Sequence, residues 1–201
     1  MSGKPDWNRQ AFNDAEAKLK KEGYEVINPA KNFGGKTDLD YHIYIGRSIG
    51  QLLDESNAIH LLEGWHESRG ARMEFLVAAA LGINFYIDRD RDGFINENEY
   101  AEWSKLIRYL GIAKELVLGD RNEDYGAPIE DFTRAWDIYD MMDNPVPAEF
   151  LPEELKAKEW AKLNIAQKIS RQLHKPKDDN LIDLAGYVLC WKWIDTGVVP
   201  G

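Results

Sequence analysis

Cysteine is almost missing from this chain, since Cys190 is the only one among 201 residues. An internal disulfide needs two cysteines, so none can form, and we expect a reducing, cytoplasmic setting. The first six residues are polar and lack the apolar core of a signal peptide. No apolar run approaches the roughly 20 residues that cross a bilayer, so we expect no membrane partner.

Positive charge is also scarce. Lysine and arginine total 25, against 35 aspartates and glutamates, and the formal net charge is −10. A surface this acidic repels phosphate backbones, which disfavours non-specific binding of nucleic acid. A small nucleotide can still bind where a pocket is locally positive. Hydrophobic residues make up 44%, enough for a packed core, and the composition leaves homo-oligomerisation open.

Internal repeats and low-complexity tracts are absent, and the first half alternates helices with short apolar runs. The periodicity predicts helices at 9–22, 39–55 and 70–81 and strands at 24–27, 58–62 and 83–87. Strands that alternate with helices at this spacing imply right-handed crossovers and a parallel sheet. We therefore expect an α/β, Rossmann-like domain at the N-terminus.

From about residue 96 the pattern contains only helices. They are predicted at 97–109, 110–118, 128–142, 152–173 and 180–194. Proline-rich breaks at 144–147 and 175–177 separate the later ones. The second half is therefore predicted to be an α-helical domain.

Residues 88–99 match the twelve-residue calcium loop of the EF-hand. A hard cation takes six to eight oxygen ligands, and the loop places them at fixed positions. The predicted calcium ligands are Asp88, Asp90, Asp92, the Phe94 carbonyl, Asn96 and a bidentate Glu99. A strand rather than a helix precedes this loop, and no second loop pairs with it. We interpret it as a structural clip between the two halves.

The segment from Gly64 to Glu74 lies between a predicted strand and a predicted helix. Parallel sheets bind ligands at this edge. Ser68 and the amides near Gly70 are placed to hold a phosphate at the helix N-terminus. Glu74, one turn further on, is placed to attack an anomeric carbon, as carboxylates do in glycosidases.

Ser68-x-Gly70-x-x-x-Glu74, followed by Ala78 and Leu81-Gly82, resembles the nucleoside 2-deoxyribosyltransferase and deoxynucleotide N-hydrolase superfamily. Residues 6–9, 23–30 and 62–65 resemble a phage-associated branch of it, which implies a phage-infected bacterial host. The resemblance implies that Glu74 is the nucleophile, that Ser68 contacts phosphate or ribose, and that Trp7, Asn8, Gly64 and Gly70 contact the substrate. The strand with which that family begins is expected to be missing here, and Ser48 stands where the family carries an aspartate.

Residues 108–195 resemble a phage domain related to the all-α, MazG-like nucleoside triphosphate pyrophosphatases. Those enzymes hold Mg²⁺ with carboxylates at helical spacing, and the metal activates water against a phosphate. The resemblance implies a magnesium site at Asn180 and Asp183, with Asp179 adding a third oxygen. The facing helix carries Lys168 and Arg171, cations that suit a phosphate of the substrate better than Mg²⁺.

These patterns predict three segments: an α/β domain at 1–87, a calcium loop with a connecting helix at 88–107, and a helical domain at 108–201. Three functions remain open. The first is cleavage or transfer at the N-glycosidic bond of a deoxynucleotide through Glu74. The second is pyrophosphate release from a nucleoside triphosphate at Asp179 and Asp183. The third is non-catalytic binding of a nucleotide or a protein.

Overall fold

The structure is a computed structural model that describes residues 5–36, 38–88, 97–119, 127–143 and 151–199. At Pro5, Trp7, Asp137 and 139–143 it describes the backbone alone. The chain divides into two compact units, Met1–Leu106 and Ile107–Gly201.

The first unit contains a small sheet and several helices. In chain order these are α1 (Arg9–Lys21), α2 (Tyr41–Asp54), β1 (Ala58–Leu61), α3 (Arg69–Leu81), β2 (Asn84–Ile87) and the beginning of α4 (Glu97–Leu118). Short 3-10 turns occupy Pro5–Asn8, Pro29–Gly35 and Trp65–Glu67.

Strands β1 and β2 pair in parallel, with Ala58 opposite Asn84 and Leu61 opposite Ile87. The crossover between them is α3, so the predicted strand–helix–strand unit is confirmed here. The predicted strand at 24–27 is wrong: these residues are extended but belong to no sheet among the described residues. Tyr24 N donates to Leu19 O at the end of α1 instead of to a neighbouring strand, and a strand cannot persist without a ladder partner.

Helix α3 is the centre of the first unit. It begins at the N-cap Ser68 and ends at Gly82, whose φ of 67° is the left-handed conformation that glycine adopts at low cost. The side chains of Phe75, Leu76 and Val77 are fully buried. A helix that is apolar over most of its surface must be covered on several sides, and α3 contacts α2 as well as both strands.

The second unit is entirely helical within the residues that the structure describes. It contains most of α4, then α5 (Pro128–Asp143), α6 (Glu153–His174) and α7 (Asp178–Thr196). Ala157, Ala161, Ile165 and Ile169 recur every four residues on α6 and are buried, and α6 packs against both α5 and α7. The predicted α-helical domain is therefore confirmed.

Residues 97–118 form one helix, not the two predicted at 97–109 and 110–118. Gly111 lies inside it, although glycine in a helix costs about 1 kcal/mol relative to alanine. Leu106, Tyr109 and Ala113 are buried at helical spacing, and their packing outweighs that cost. No helix in the described ranges is long and apolar enough to cross a membrane.

Candidate functional site

An open cleft of about 1350 Å³ runs through the first unit. Its walls come from α1, the extended segment 24–28, α2, β1 and the N-terminal turns of α3. Five residues of the predicted site line this cleft: Asn8, Gly64, Ser68, Gly70 and Glu74. Trp7, predicted with them, has a side chain outside the described residues.

The loop from β1 to α3 is fixed by an aromatic anchor. Gly64 takes a φ of 75°, and Trp65, only 3% exposed, packs on Phe75 of α3 with ring centroids 4.9 Å apart. This contact ties the loop to the middle of the helix. The orientation of the first turn of α3 is therefore set by packing in the core.

Ser68 caps α3, because its Oγ accepts a hydrogen bond from Ala71 N at 3.4 Å. Its backbone N donates to Trp65 O at 3.0 Å, so the residue is held on both sides. The lone pair of Ser68 Oγ that faces the helix accepts the hydrogen bond from Ala71 N. A ligand at this position therefore meets the hydroxyl as a donor.

Glu74 is partly buried in the second turn of α3 and lines the cleft. Burial raises the pKa of its carboxyl, and a hydrogen bond with Ser48 of α2 opposes that shift. Ser48 is itself buried, with 6% of its surface exposed. Ser48 is the hydrogen-bond partner of the carboxyl within the described residues, and burial leaves the negative charge poorly solvated when Glu74 ionises.

Tyr41 is a site residue that the sequence did not indicate. It begins α2, lines the cleft, and its hydroxyl hydrogen-bonds the backbone of Gly70. A Cβ built on Gly70 would collide with Tyr41 Oη, so the glycine is what lets the hydroxyl approach. Burial and then the charge of Glu74 raise the pKa of this phenol, which stays protonated.

Acidic residues outnumber basic residues in the lining of the cleft. The nine that line it are Glu16, Glu22, Glu25, Asp54, Glu55, Glu63, Glu67, Glu74 and Asp88. Lys18 is the one lysine or arginine in the described lining, and its Nζ lies 3.6 Å from Asp88 Oδ1. Lys20 and Lys31 pair with Glu16, and Arg47 pairs with Glu55, so part of this negative charge is compensated. The remaining excess of acidic over basic groups favours neutral or cationic ligands.

A buried acid joins the extended segment to α1. Glu16 lies 2.7 Å from Asn28 Nδ2, 2.7 Å from Lys20 Nζ and 2.6 Å from Lys31 Nζ. These three donors, Asn28 first, lower the pKa of Glu16 to about 2 despite its burial. The cluster holds residues 24–28 in place where no strand ladder does.

The predicted calcium loop is described only at its two ends. Asp88 Oδ1 lies 3.1 Å from His60 Nε2, and Glu99 Oε1 accepts a hydrogen bond from Trp65 Nε1 at 2.9 Å. The other predicted ligands, Asp90, Asp92, Phe94 and Asn96, lie outside the described residues. Within the described ranges, no three histidine, cysteine, aspartate or glutamate side chains form a group that could hold a metal.

In the second unit, Lys168 and Asp183 pair across α6 and α7 with Nζ 2.5 Å from Oδ2. The lysine predicted to bind phosphate and the carboxylate predicted to bind Mg²⁺ therefore neutralise each other. Asp179 and Arg171 are exposed, and the buried Asn180 lies 3.4 Å from Gln172 Oε1. This arrangement binds two helices together. Of the two predicted carboxylate ligands, Asp183 is engaged by Lys168, and Asp179 forms no ion pair within the part of the chain that the structure describes.

Comparison with protein families places two matches along the chain. Residues 1–87 are similar to a family described as a domain of unknown function, DUF4406. Residues 108–194 are similar to a second family with the same description, DUF6378. No curated protein and no solved structure matches the chain.

Proposed function

We propose that the first unit acts on the N-glycosidic bond of a deoxyribonucleoside or deoxynucleotide, with Glu74 as the nucleophile. The observation that carries this proposal is the surroundings of Glu74. The carboxyl lines a cleft large enough for such a ligand, Ser48 holds it, and the hydroxyl of Tyr41 lies in the same cleft. The parallel strand–helix–strand unit beneath it also supports a Rossmann-like arrangement for this part of the chain.

In the reaction that these groups support, a Glu74 oxygen attacks C1′ of the deoxyribose. The bond from C1′ to the base nitrogen breaks, its electron pair leaves with the base, and the base takes a proton. The resulting deoxyribosyl ester is then cleaved by water, which gives hydrolysis, or by a second base, which gives transfer. Poor solvation of the carboxylate favours attack, because charge disperses as the positive character at C1′ develops.

The test is release of free base. The full-length protein is incubated with the four deoxynucleosides and their 5′-monophosphates, and the products are separated by chromatography. We expect free base from at least one substrate and none from Glu74→Gln. Glu130→Gln, an exposed carboxyl of the second unit, is the matched control and keeps the activity. Equal base release by Glu74→Gln refutes the proposal.

The same incubation tests the two other functions. A pyrophosphatase converts deoxynucleoside triphosphates to monophosphates and pyrophosphate, and would depend on Asp183. The pairing of Asp183 with Lys168 gives this function less support than Glu74 has. Ligand binding without any product would instead support a non-catalytic protein.

A separate proposal concerns residues 88–99, for which we propose calcium binding in an EF-hand-type loop. Its support is the order of oxygen-bearing residues in the sequence and the partly buried positions of Asp88 and Glu99. In this proposal the ion joins the end of β2 to the beginning of α4.

A further inference from the structure

The N-terminus of α3 already uses the amides that a phosphate would need. A helix binds an anion through free N–H groups in its first turn. Here the Ala71 amide donates to Ser68 Oγ, and the Gly70 amide hydrogen-bonds Tyr41 Oη. A phosphate seated on this turn would have to displace a side chain from each.

The contact between Tyr41 and Gly70 is a close fit. Tyr41 Oη occupies the space that a Cβ at Gly70 would need, and Ile45 Cδ1 lies only 3.3 Å from that same position. The hydroxyl is therefore pressed onto the backbone, with no room for a water or a phosphate oxygen between them. Its own proton still points away from this bond, available to a neutral acceptor such as a sugar hydroxyl.

The charge of the cleft also disfavours a phosphate. Nine carboxylates line it, and cations pair with three of them: Lys20 and Lys31 with Glu16, Arg47 with Glu55, and Lys18 with Asp88. Arg72 Nη1 lies 3.3 Å from Glu102 Oε1, whereas Arg69 is exposed, does not line the cleft and acts on the Tyr41 hydroxyl through its charge. A phosphate dianion would therefore enter a cleft whose lining carries more negative than positive charge.

We propose that the cleft selects an unphosphorylated deoxyribonucleoside over a deoxynucleotide, and that Tyr41 excludes the phosphate by occupying the Gly70 amide. This inference rests on the proposed function, because it names the substrate class for the site at Glu74. It replaces the expectation that Ser68 and Gly70 hold a phosphate.

The experiment compares each deoxynucleoside with its 5′-monophosphate on the full-length protein. Calorimetry measures the dissociation constant, and release of base gives kcat/KM. We expect the deoxynucleoside to bind at least tenfold more tightly than the monophosphate. Added salt should narrow this gap, because screening weakens the repulsion from the carboxylates.

The decisive variant is Tyr41→Phe, which keeps the ring and frees the Gly70 amide. It should lower the preference for the deoxynucleoside at least threefold, mainly by improving binding of the monophosphate. Tyr44→Phe is the matched control: this tyrosine lies on the same helix and lines the same cleft, but its hydroxyl donates to Lys36 O and accepts from Leu39 N instead of contacting Gly70. The control should keep the preference of the natural protein.

Binding and turnover separate the two proposals. Tight deoxynucleoside binding and weak monophosphate binding support the inference even if no base is released, in which case only the proposed reaction fails. Equal or tighter binding of the monophosphate overturns the inference, and it does so whether or not base is released. Binding of neither compound overturns it as well, and a preference that is unchanged in Tyr41→Phe removes Tyr41 as its cause.

Discussion

Trp65 Nε1 donates a hydrogen bond to Glu99 Oε1 at 2.9 Å, across the segment predicted to bind calcium. The indole belongs to the loop that leads into α3, and its ring packs on Phe75. The carboxyl belongs to the first turn of α4 and is the predicted bidentate ligand of the loop. Asp88, another predicted ligand, lines the cleft itself, so the proposed metal site adjoins the wall of the cleft at two points.

Calcium should raise the melting temperature of the natural protein, because an ion that binds only the folded state stabilises it by mass action. At a calcium concentration about 100-fold above the dissociation constant, the gain is about 2.7 kcal/mol. Glu99→Ala should cancel the calcium-dependent rise, and differential scanning fluorimetry measures it. Glu97→Ala changes an exposed acid that supplies no predicted ligand and should keep the rise. A rise of the same size in Glu99→Ala would contradict the proposed loop.

Loss of the Ser48 hydroxyl should shift the pH dependence of base release. Burial raises the pKa of Glu74 and the hydrogen bond with Ser48 lowers it, so Ser48→Ala raises that pKa further. The nucleophile must be ionised, and the acid side of the kcat/KM profile should therefore move to higher pH.

The control for this profile is Ser56→Ala, whose hydroxyl donates to Gln51 O rather than to an acid. Its acid limb should coincide with that of the natural protein. If the acid side of the kcat/KM profile of Ser48→Ala also coincides with that of the natural protein, the hydrogen bond does not govern ionisation of Glu74.

Removal of the charge of Glu16 should destabilise the first unit in a pH-dependent way. Its folded pKa of about 2 lies below the ordinary 4.5, so its contribution to stability is complete above pH 4.5 and is lost as the pH falls towards 2. Glu16→Gln should lower the free energy of unfolding by about 1–3 kcal/mol near pH 7, because the side chain loses its charge and one of the two oxygens that Asn28 and the two lysines contact. Urea unfolding at a series of pH values measures this.

As a comparison, Glu22→Gln alters an exposed acid at the end of the same helix and should change stability by less than about 0.5 kcal/mol at any pH. A Glu16→Gln deficit that stays constant down to pH 2 would show that the network does not depend on the charge.

Gly70→Ala should destabilise the protein unless the hydroxyl of Tyr41 is removed. Gly70→Ala places its Cβ against Tyr41 Oη and should cost about 1–3 kcal/mol of stability, as other overpacked sites do. In the Tyr41→Phe background the same change should cost less, because the oxygen in conflict is gone. A double-mutant cycle by urea unfolding gives the coupling energy, and strict additivity would mean that the two residues do not touch.

Local signals in the sequence were enough to locate the central helix and its neighbours. Ser68 as N-cap and Gly82 as the final turn bracket α3, and the apolar runs on each side form β1 and β2. The same local signals do not show which strands pair with one another. The run at 24–27 has strand composition, yet the described sheet gives it no neighbour, and Asn28 and Glu16 hold it instead.

The site was predictable only as far as its residues lie close together in sequence. Ser68, Gly70 and Glu74 share one helix, so their spacing placed them in one cleft. Tyr41 comes from another helix and reaches Gly70 only because α2 packs on α3, which no local pattern encodes. The same reason explains why the pairing of Lys168 with Asp183 went unseen.

The burial of α3 has a consequence for attempts to engineer this protein. Glu74 stands on the helix whose neighbours Phe75, Leu76 and Val77 are wholly enclosed, so changes along that helix disturb the core before they alter ligand choice. Libraries that aim at new ligands should instead vary the exposed positions of the turn before α3, Glu63 and Glu67, which also line the cleft. These positions can be diversified while Ser48 and Trp65 keep Glu74 and its helix in place.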